Sequence, residues 1–364
     1  MLQRVDEQHH FVSTFDPRTG FYLRSGVIEN GRDTGEDPFM SSFPELIDVG
    51  VMGHCTHGAS GLCIQSGVQC YQNGLEIQRP NMTLENFKRI VDECKGKCYQ
   101  FALGGRGDPD QHEAFPAMLS YCRENDIVPN FTTSGLGMDR EKAELCRQFT
   151  GAVAVSWYRQ KHTMKAIDLL LDAGVKTNIH YVLSRSSIGE AIRRLEERDF
   201  PAGINAVIFL LHKPVGLGSV FDMLSLDDTR VHAFFELVDT GTFPFKIGFD
   251  SCSIPAILNL CKSINHSSVD TCEGGRWSMY ITSDMKALPC SFDNQDMRWA
   301  YDIADDTIQN AWNSPQFEDF RSYFHRSCPG CDHQKDCMGG CPIRPEIVLC
   351  SREERDEREK EVRD

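Results

Sequence analysis

Cys55, Cys63 and Cys70 stand in HCTHGASGLCIQSGVQCYQNG with the spacing C-x7-C-x6-C, and Tyr71 follows the last of them. Three thiolates can hold a 4Fe–4S cluster and leave its fourth iron open. An open iron can chelate a cofactor, so such a centre performs chemistry as well as carrying electrons. The same residues are compatible with a zinc loop using His54 or His57 as fourth ligand, or with free buried thiols, although zinc sites usually include one tight cysteine pair.

A second group lies near the C-terminus. Cys328, Cys331, Cys337 and Cys341 read C-x2-C-x5-C-x3-C, with Cys252, Cys272 and Cys290 upstream and Cys350 downstream. These eight cysteines suffice for two four-cysteine sites, of iron–sulfur or structural zinc type. A third feature is Gly104-Gly105-Arg106-Gly107-Asp108-Pro109, where consecutive glycines let backbone groups approach the polar end of a ligand. A plain tight turn is the bland alternative.

The elements that must position these residues alternate regularly. Strand-like runs occur at Leu46–Met52, Cys98–Leu103, Val128–Thr133, Ala152–Trp157, Lys176–Leu183 and Ala206–Leu211. Helix-like segments lie between them, at Thr83–Cys94, Asp110–Asn125 and Thr163–Ala173, the last stopping at Gly174. Repeated βα units imply parallel strands with right-handed crossovers, hence a partial (β/α)6 TIM-like barrel of α/β class. The cysteine trio and the glycine turn each follow a strand, where parallel α/β folds place their ligands. KIGFDSC reads as one further strand and RWSMYITSDMKALPC as a hairpin turning at Ser283–Lys286. The reading divides the chain into an N-terminal hairpin and loop (1–45), the barrel (46–245), a cysteine-rich module (246–350) and a charged tail (351–364).

Composition narrows the function. The formal charge is 38 − 53 = −15, with no basic stripe, which argues against nucleic acid as partner. No apolar run is long enough to span a membrane and no signal peptide is evident, so the chain reads as cytoplasmic. In that reducing compartment the sixteen cysteines are expected as metal ligands or thiols, not disulfides. Cys94, Cys98, Cys122 and Cys146 fall on core elements and read as buried apolar side chains.

Together, the trio with Cys70-Tyr71, the Gly104-Gly105 turn and the C-terminal array resemble a radical S-adenosylmethionine enzyme with a C-terminal SPASM domain, over roughly residues 46–350. Two features depart from that family. Its usual cluster spacing is C-x3-C-x2-C, and it usually carries a glycine where this chain has Met285, five residues before Cys290.

The resemblance implies three 4Fe–4S clusters. One, on Cys55, Cys63 and Cys70, binds S-adenosylmethionine and cleaves it to a 5′-deoxyadenosyl radical. Two are auxiliary: Cys252, Cys272, Cys290 and Cys341 hold the first, with Cys261 as a substitute for Cys252, and Cys328, Cys331, Cys337 and Cys350 hold the second. By the same resemblance Gly104, Gly105, Ser156, Arg159 and either Asn178 or His180 contact the cofactor, and the Gly216–Gly218 turn lies near its adenine. The implied reaction is oxidative modification of a ribosomally made precursor peptide: crosslinking, epimerisation or excision. Its partners are that peptide, a separate leader-binding protein or direct leader contact by the N-terminal hairpin, and an electron donor such as flavodoxin or ferredoxin. Sulfatase-type maturation and small-molecule dehydrogenation are the alternatives, with a zinc scaffold as the non-enzymatic one. Sulfatase-type relatives carry an acidic base directly after the second array cysteine, where this chain has Ser291; Asp293 and Asp250 are the remaining candidate bases.

Overall fold

The computed structural model describes residues 1–67, 69–265, 268–325, 328 and 331–350. The charged tail lies outside the described residues. Six parallel strands follow one another around the sheet: β1 (Leu46–Met52), β2 (Gln100–Gly105), β3 (Val128–Thr133), β4 (Val153–Ser156), β5 (Thr177–Leu183) and β6 (Ala206–Leu211). β7 (Lys246–Phe249) pairs parallel with β6, so the KIGF run is a seventh strand of this sheet. At the other edge β8 (Ser278–Ile281) pairs parallel with β1, and β9 (Lys286–Leu288) and β10 (Tyr301–Asp302) continue antiparallel. The sheet order is therefore β7-β6-β5-β4-β3-β2-β1-β8-β9-β10. A partial barrel with the cysteine-rich segment sewn onto its first strand is the observed architecture.

Alternation along each strand separates two environments. On β1, Ile47, Val49 and Val51 are fully buried in the core with Phe87, Ile90 and Val91 of the helix Leu84–Cys94. That helix starts at Thr83, whose hydroxyl accepts from Asn86 N at 3.2 Å. The opposite faces of the strands carry Asp48, Asn130, Thr132, Ser156, Asn178 and His180 and form a polar barrel interior. The helix expected from Asp110 begins instead at Phe115, with a short 3-10 turn over Pro109–Gln111 before it. Pro116 sits at its first turn, where a missing N–H costs nothing.

The N-terminal segment forms a three-stranded antiparallel sheet, Leu2–Asp6, Phe11–Phe15 and Tyr22–Arg24. Phe15 packs with Tyr99 and Val128, at the starts of β2 and β3. Arg4 donates to Cys98 O at 2.8 Å and Ser13 to Glu45 at 2.7 Å. This sheet therefore covers the strand-start end of the barrel, opposite the strand ends that lead to the cysteines.

Gly104 and Gly105 belong to β2 rather than to a free turn after it. The register between β1 and β2 slips between Gly50 and Met52, a bulge that brings Gly105 opposite Met52 with φ +115°. A β-carbon on Gly105 would lie 2.4 Å from Met52 O, whereas one on Gly104 would meet nothing within 4 Å. Gly105→Ala should therefore cost about 3 kcal/mol in urea unfolding, combining strained φ with a backbone clash. Gly104→Ala should stay within about 1 kcal/mol of the parent; equal effects would refute this account of the bulge.

Candidate cluster-binding and active site

The long spacing of the trio has a local structural explanation. Cys55 precedes a short helix, Thr56–Ser60, and its sulfur accepts from Gly58 N at 3.3 Å. A second short helix, Leu62–Gln65, contains Cys63. These two coils take up the intervening residues, and the Cys55 and Cys63 thiols hydrogen-bond to each other. That bond pulls Cys55 down and pushes Cys63 up from the ordinary thiol value. Cys70 lies within electrostatic reach of Cys63, and the Tyr158 phenol, hydrogen-bonded to Cys63, lies near both.

Contacts from three strand ends fix this loop. His57 Nε2 lies 2.7 Å from Asp108 Oδ2, and Ser134 donates to Asp108 through both N (2.9 Å) and Oγ (2.5 Å). The histidine weighed as a zinc ligand is thus bonded through Nε2 to the loop after β2. Leu217 N donates to Cys70 O at 2.9 Å. Gly216 has φ +62°, and a β-carbon there would fall 2.5 Å from Tyr71 O. The Gly216–Gly218 turn packs on the cysteine loop.

Arg106, in the turn after β2, is 4% exposed, and its buried Nε has no hydrogen-bond partner. Burial pulls its pKa down, with Tyr280 and Cys70 among the groups opposing this. A buried guanidinium with an unpaired Nε near Cys70 suits a ligand carrying a carboxylate.

The C-terminal cysteines form two further sets. Cys252 and Cys341 hydrogen-bond to each other, and Cys272 and Cys290 lie within electrostatic reach of Cys252. The Cys341 bond and burial push Cys252 up; burial and then the neighbouring thiol push Cys272 up to about 12. Cys261 is elsewhere, donating to Phe235 O at 3.7 Å. Cys328, Cys331, Cys337 and Cys350 all line one pocket, together with Pro255 and Asn259 of the helix Ile254–Leu260. Cys94, Cys98, Cys122 and Cys146 are fully buried in the hydrophobic core.

Residues 272–338 match the SPASM family, an iron-sulfur cluster-binding domain. The fold is similar to Streptococcus suis SuiB bound to its precursor peptide SuiA, at 18% identity and TM-score 0.65, covering 86% of this chain and 76% of that one. SuiB bound to S-adenosylmethionine matches at 17% identity and TM-score 0.64, over 86% and 77% of the two chains. The protein anSMEcpe with bound AdoMet and Cp18Cys peptide matches at 17% identity and TM-score 0.59, over 87% and 95%. The chain shares the fold of these SuiB and anSMEcpe structures and carries a SPASM-matching segment near its C-terminus. Among curated protein sequences, none matches it. No helix among the described residues is long and apolar enough to cross a membrane.

On this scaffold the remaining candidates separate. Ser156 ends β4, in register with His180 on β5. Burial pulls His180 down to about 4, against the Asp250 charge. Asn178 lies two residues deeper, its Oδ1 accepting from Asn205 at 2.7 Å. Arg159 has φ +63° and turns to Glu190, donating at 2.6 Å, and to Trp157 O at 3.1 Å. Asp293 accepts from Arg298 N (3.1 Å) and Trp299 N (2.9 Å), as a turn carboxylate does. Asp250 accepts from Lys213 Nζ at 2.6 Å, Leu211 N at 3.1 Å and Ser253 Oγ at 2.9 Å.

Sequence reasoning passed over Asp48, Tyr158 and Lys213. Asp48 faces the barrel interior opposite Tyr280, and burial pushes it up to about 7. Its signal was available: a carboxylate inside the apolar run LIDVGVM. Tyr158 and Lys213 each follow a strand end, and nothing local distinguishes them.

The Glu190 pair offers a test away from the cysteines. Burial raises the Glu190 pKa, but bonds from Arg159 and Arg194 outweigh it and bring it to about 2 from an ordinary 4.5. A depressed carboxylate stabilises the fold above its unfolded pKa and loses that contribution as pH falls. Discounted for partial exposure, the contribution is roughly 1–2 kcal/mol. Glu190→Gln should lose that amount at pH 7 and flatten the stability profile between about pH 4.5 and pH 2, measured by denaturant titration at each pH.

Proposed function

We propose that this chain is a radical S-adenosylmethionine enzyme that oxidatively modifies a ribosomally made peptide. The observation carrying the proposal is the SPASM match over residues 272–338, supported by the thiol pairs Cys55–Cys63 and Cys252–Cys341 that the fold brings together. The trio stands at the strand-end side of the barrel, the Cys252 set beside it, and the Cys328 set beyond the helix Ile254–Leu260. The fold shared with SuiB, whose precursor peptide SuiA binds to it, supports a peptide as substrate.

Cys55, Cys63 and Cys70 hold the first 4Fe–4S cluster, and the two SPASM sets hold one auxiliary cluster each. With S-adenosylmethionine on its open iron, the first cluster supplies the 5′-deoxyadenosyl radical that abstracts hydrogen from the substrate. Arg106 is placed to receive a carboxylate at the mouth. Gly104 and Gly105 present backbone at the end of β2, and Ser156 presents a hydroxyl from β4. Asn178 and Arg159 act through Asn205 and Glu190, supporting the wall. Asp250 and Asp293 accept hydrogen bonds from Lys213 and from backbone amides, which ties both into structural roles. This, with Ser291 directly after Cys290, favours peptide modification over sulfatase-type maturation. The N-terminal hairpin covers the barrel end opposite the trio, so leader recognition falls to another surface or to a separate protein. An external donor such as flavodoxin or ferredoxin supplies the reducing electron.

Anaerobically purified protein should be brown and carry about 12 iron atoms per chain, four for each cluster. Replacing Cys55, Cys63 and Cys70 together by Ala should lower this to about 8 and abolish 5′-deoxyadenosine release from S-adenosylmethionine under dithionite. Stoichiometric zinc without iron would sink the proposal, and residual deoxyadenosine from the triple variant would sink the assignment of the trio.

A further inference from the structure

Lys213 stands between the barrel and the SPASM domain as a buried cation. It follows β6 and is 5% exposed. Its ammonium donates to Asp250 Oδ2 at 2.6 Å and to Leu211 O at 2.8 Å. It also sits 4.4 Å from the ring centre of Phe292. Asp250 follows β7 and opens the 3-10 turn Ser251–Ser253, which contains Cys252. Both Cys252 and Cys341 lie within electrostatic reach of the ammonium. Phe292, two residues after Cys290, packs against Tyr71 with ring centres 4.8 Å apart, and Tyr71 follows Cys70. One buried charge thus contacts the strand ends, the turn bearing Cys252, and an aromatic pair reaching the trio.

We infer that Lys213 is a positioning residue that sets the reduction potential of the centre held by Cys252, Cys272, Cys290 and Cys341, with Asp250 as its counterweight. The inference rests on the auxiliary centre of the proposed function. A buried cluster with four thiolates is an anion that gains one more negative charge on reduction, and its potential follows the charges around it. A buried cation favours the reduced form more than the oxidised one, because Coulomb energy scales with the charge it faces. With a cluster bound, this centre would take the electron that a substrate radical gives up on losing a proton to solvent, and an external acceptor would be needed to remove that electron again. Lys213 makes the electron-accepting step easier, and Asp250 limits how far.

The test uses full-length protein carrying Cys55→Ala, Cys63→Ala and Cys70→Ala, reconstituted anaerobically with iron and sulfide so that only the auxiliary centres form. Redox titration followed by electron paramagnetic resonance gives their midpoint potentials, with iron content measured for every variant. Lys213→Met should move one midpoint to a more negative value, and Lys213→Arg should restore it. Asp250→Asn should move the same midpoint the opposite way. A purely structural ion pair predicts loss of iron in both variants or shifts of the same sign. Unmoved midpoints in a fully loaded Lys213→Met protein overturn the inference, as do same-sign shifts. If Lys213→Met loses its iron, Asp250→Asn decides alone: a less negative midpoint supports the inference, and an unmoved or more negative one overturns it. A background protein that takes up no iron overturns the auxiliary centres themselves, a result distinct from a loaded but unmoved centre.

Discussion

The pairing of β8 with β1 is the constraint on which the arrangement depends. Ser278 lies opposite Leu46 and Ile281 opposite Val49, so the two strands run parallel and share one register. β1 leads to Cys55, and the hairpin begun by β8 leads back to Cys290. A one-residue slip would turn Tyr280 out of the barrel and displace both cysteine-bearing loops. Met285 bears on the same point. It takes φ +62° at the hairpin turn, the conformation that the family's usual glycine adopts freely. The hairpin geometry is kept here by a side chain buried to 3% exposure, whose packing offsets the strain of that backbone conformation.

The second dependency is the loop of the trio. A C-x7-C-x6-C spacing looks too open for one cluster until its residues are seen to coil. Two short helices shorten the path between Cys55 and Cys63, since a helix rises only about 1.5 Å per residue against about 3.3 Å for a strand. Helices this short are not stable alone. They persist because His57 is tied to Asp108 and Ser134, and because Gly216 lets the backbone of Cys70 and Tyr71 come close. The extra length costs order, and contacts from β2, β3 and the turn after β6 restore it.

What could be read from the sequence follows this division between local and non-local forces. β1, β3 and β6 match the apolar runs residue for residue, because burial and alternation mark them. The helix ending at Gly174 was legible from its left-handed cap, φ +78°. The start of the helix at Phe115 was not: Pro109–Gln111 forms a separate 3-10 turn, held by the Asp110 carboxylate pairing with Lys142 at 3.1 Å. Spacing alone leaves iron and zinc open for the cysteines, and their division into sets comes from the resemblance. Lys213, Tyr158 and Arg106 were not legible at all. Each owes its role to neighbours far away in sequence, such as Asp250 for Lys213 and Cys63 for Tyr158.

The two ends of the barrel then acquire opposite characters. At the strand starts, Phe15, Tyr99 and Val128 pack together, and Ser13 and Tyr22 both bond to Glu45. That end is closed by apolar packing and by the hydrogen bonds to Glu45, which keeps water from the interior on that side. At the strand ends the chain does the reverse. It gathers thiols, leaves the Arg106 Nε without a partner and buries the Lys213 charge next to cysteines. Polar groups placed so are costly unless something occupies the mouth. The stability spent there is drawn from the closed end and from the helical layer, as expected for a scaffold whose strained half is its working half.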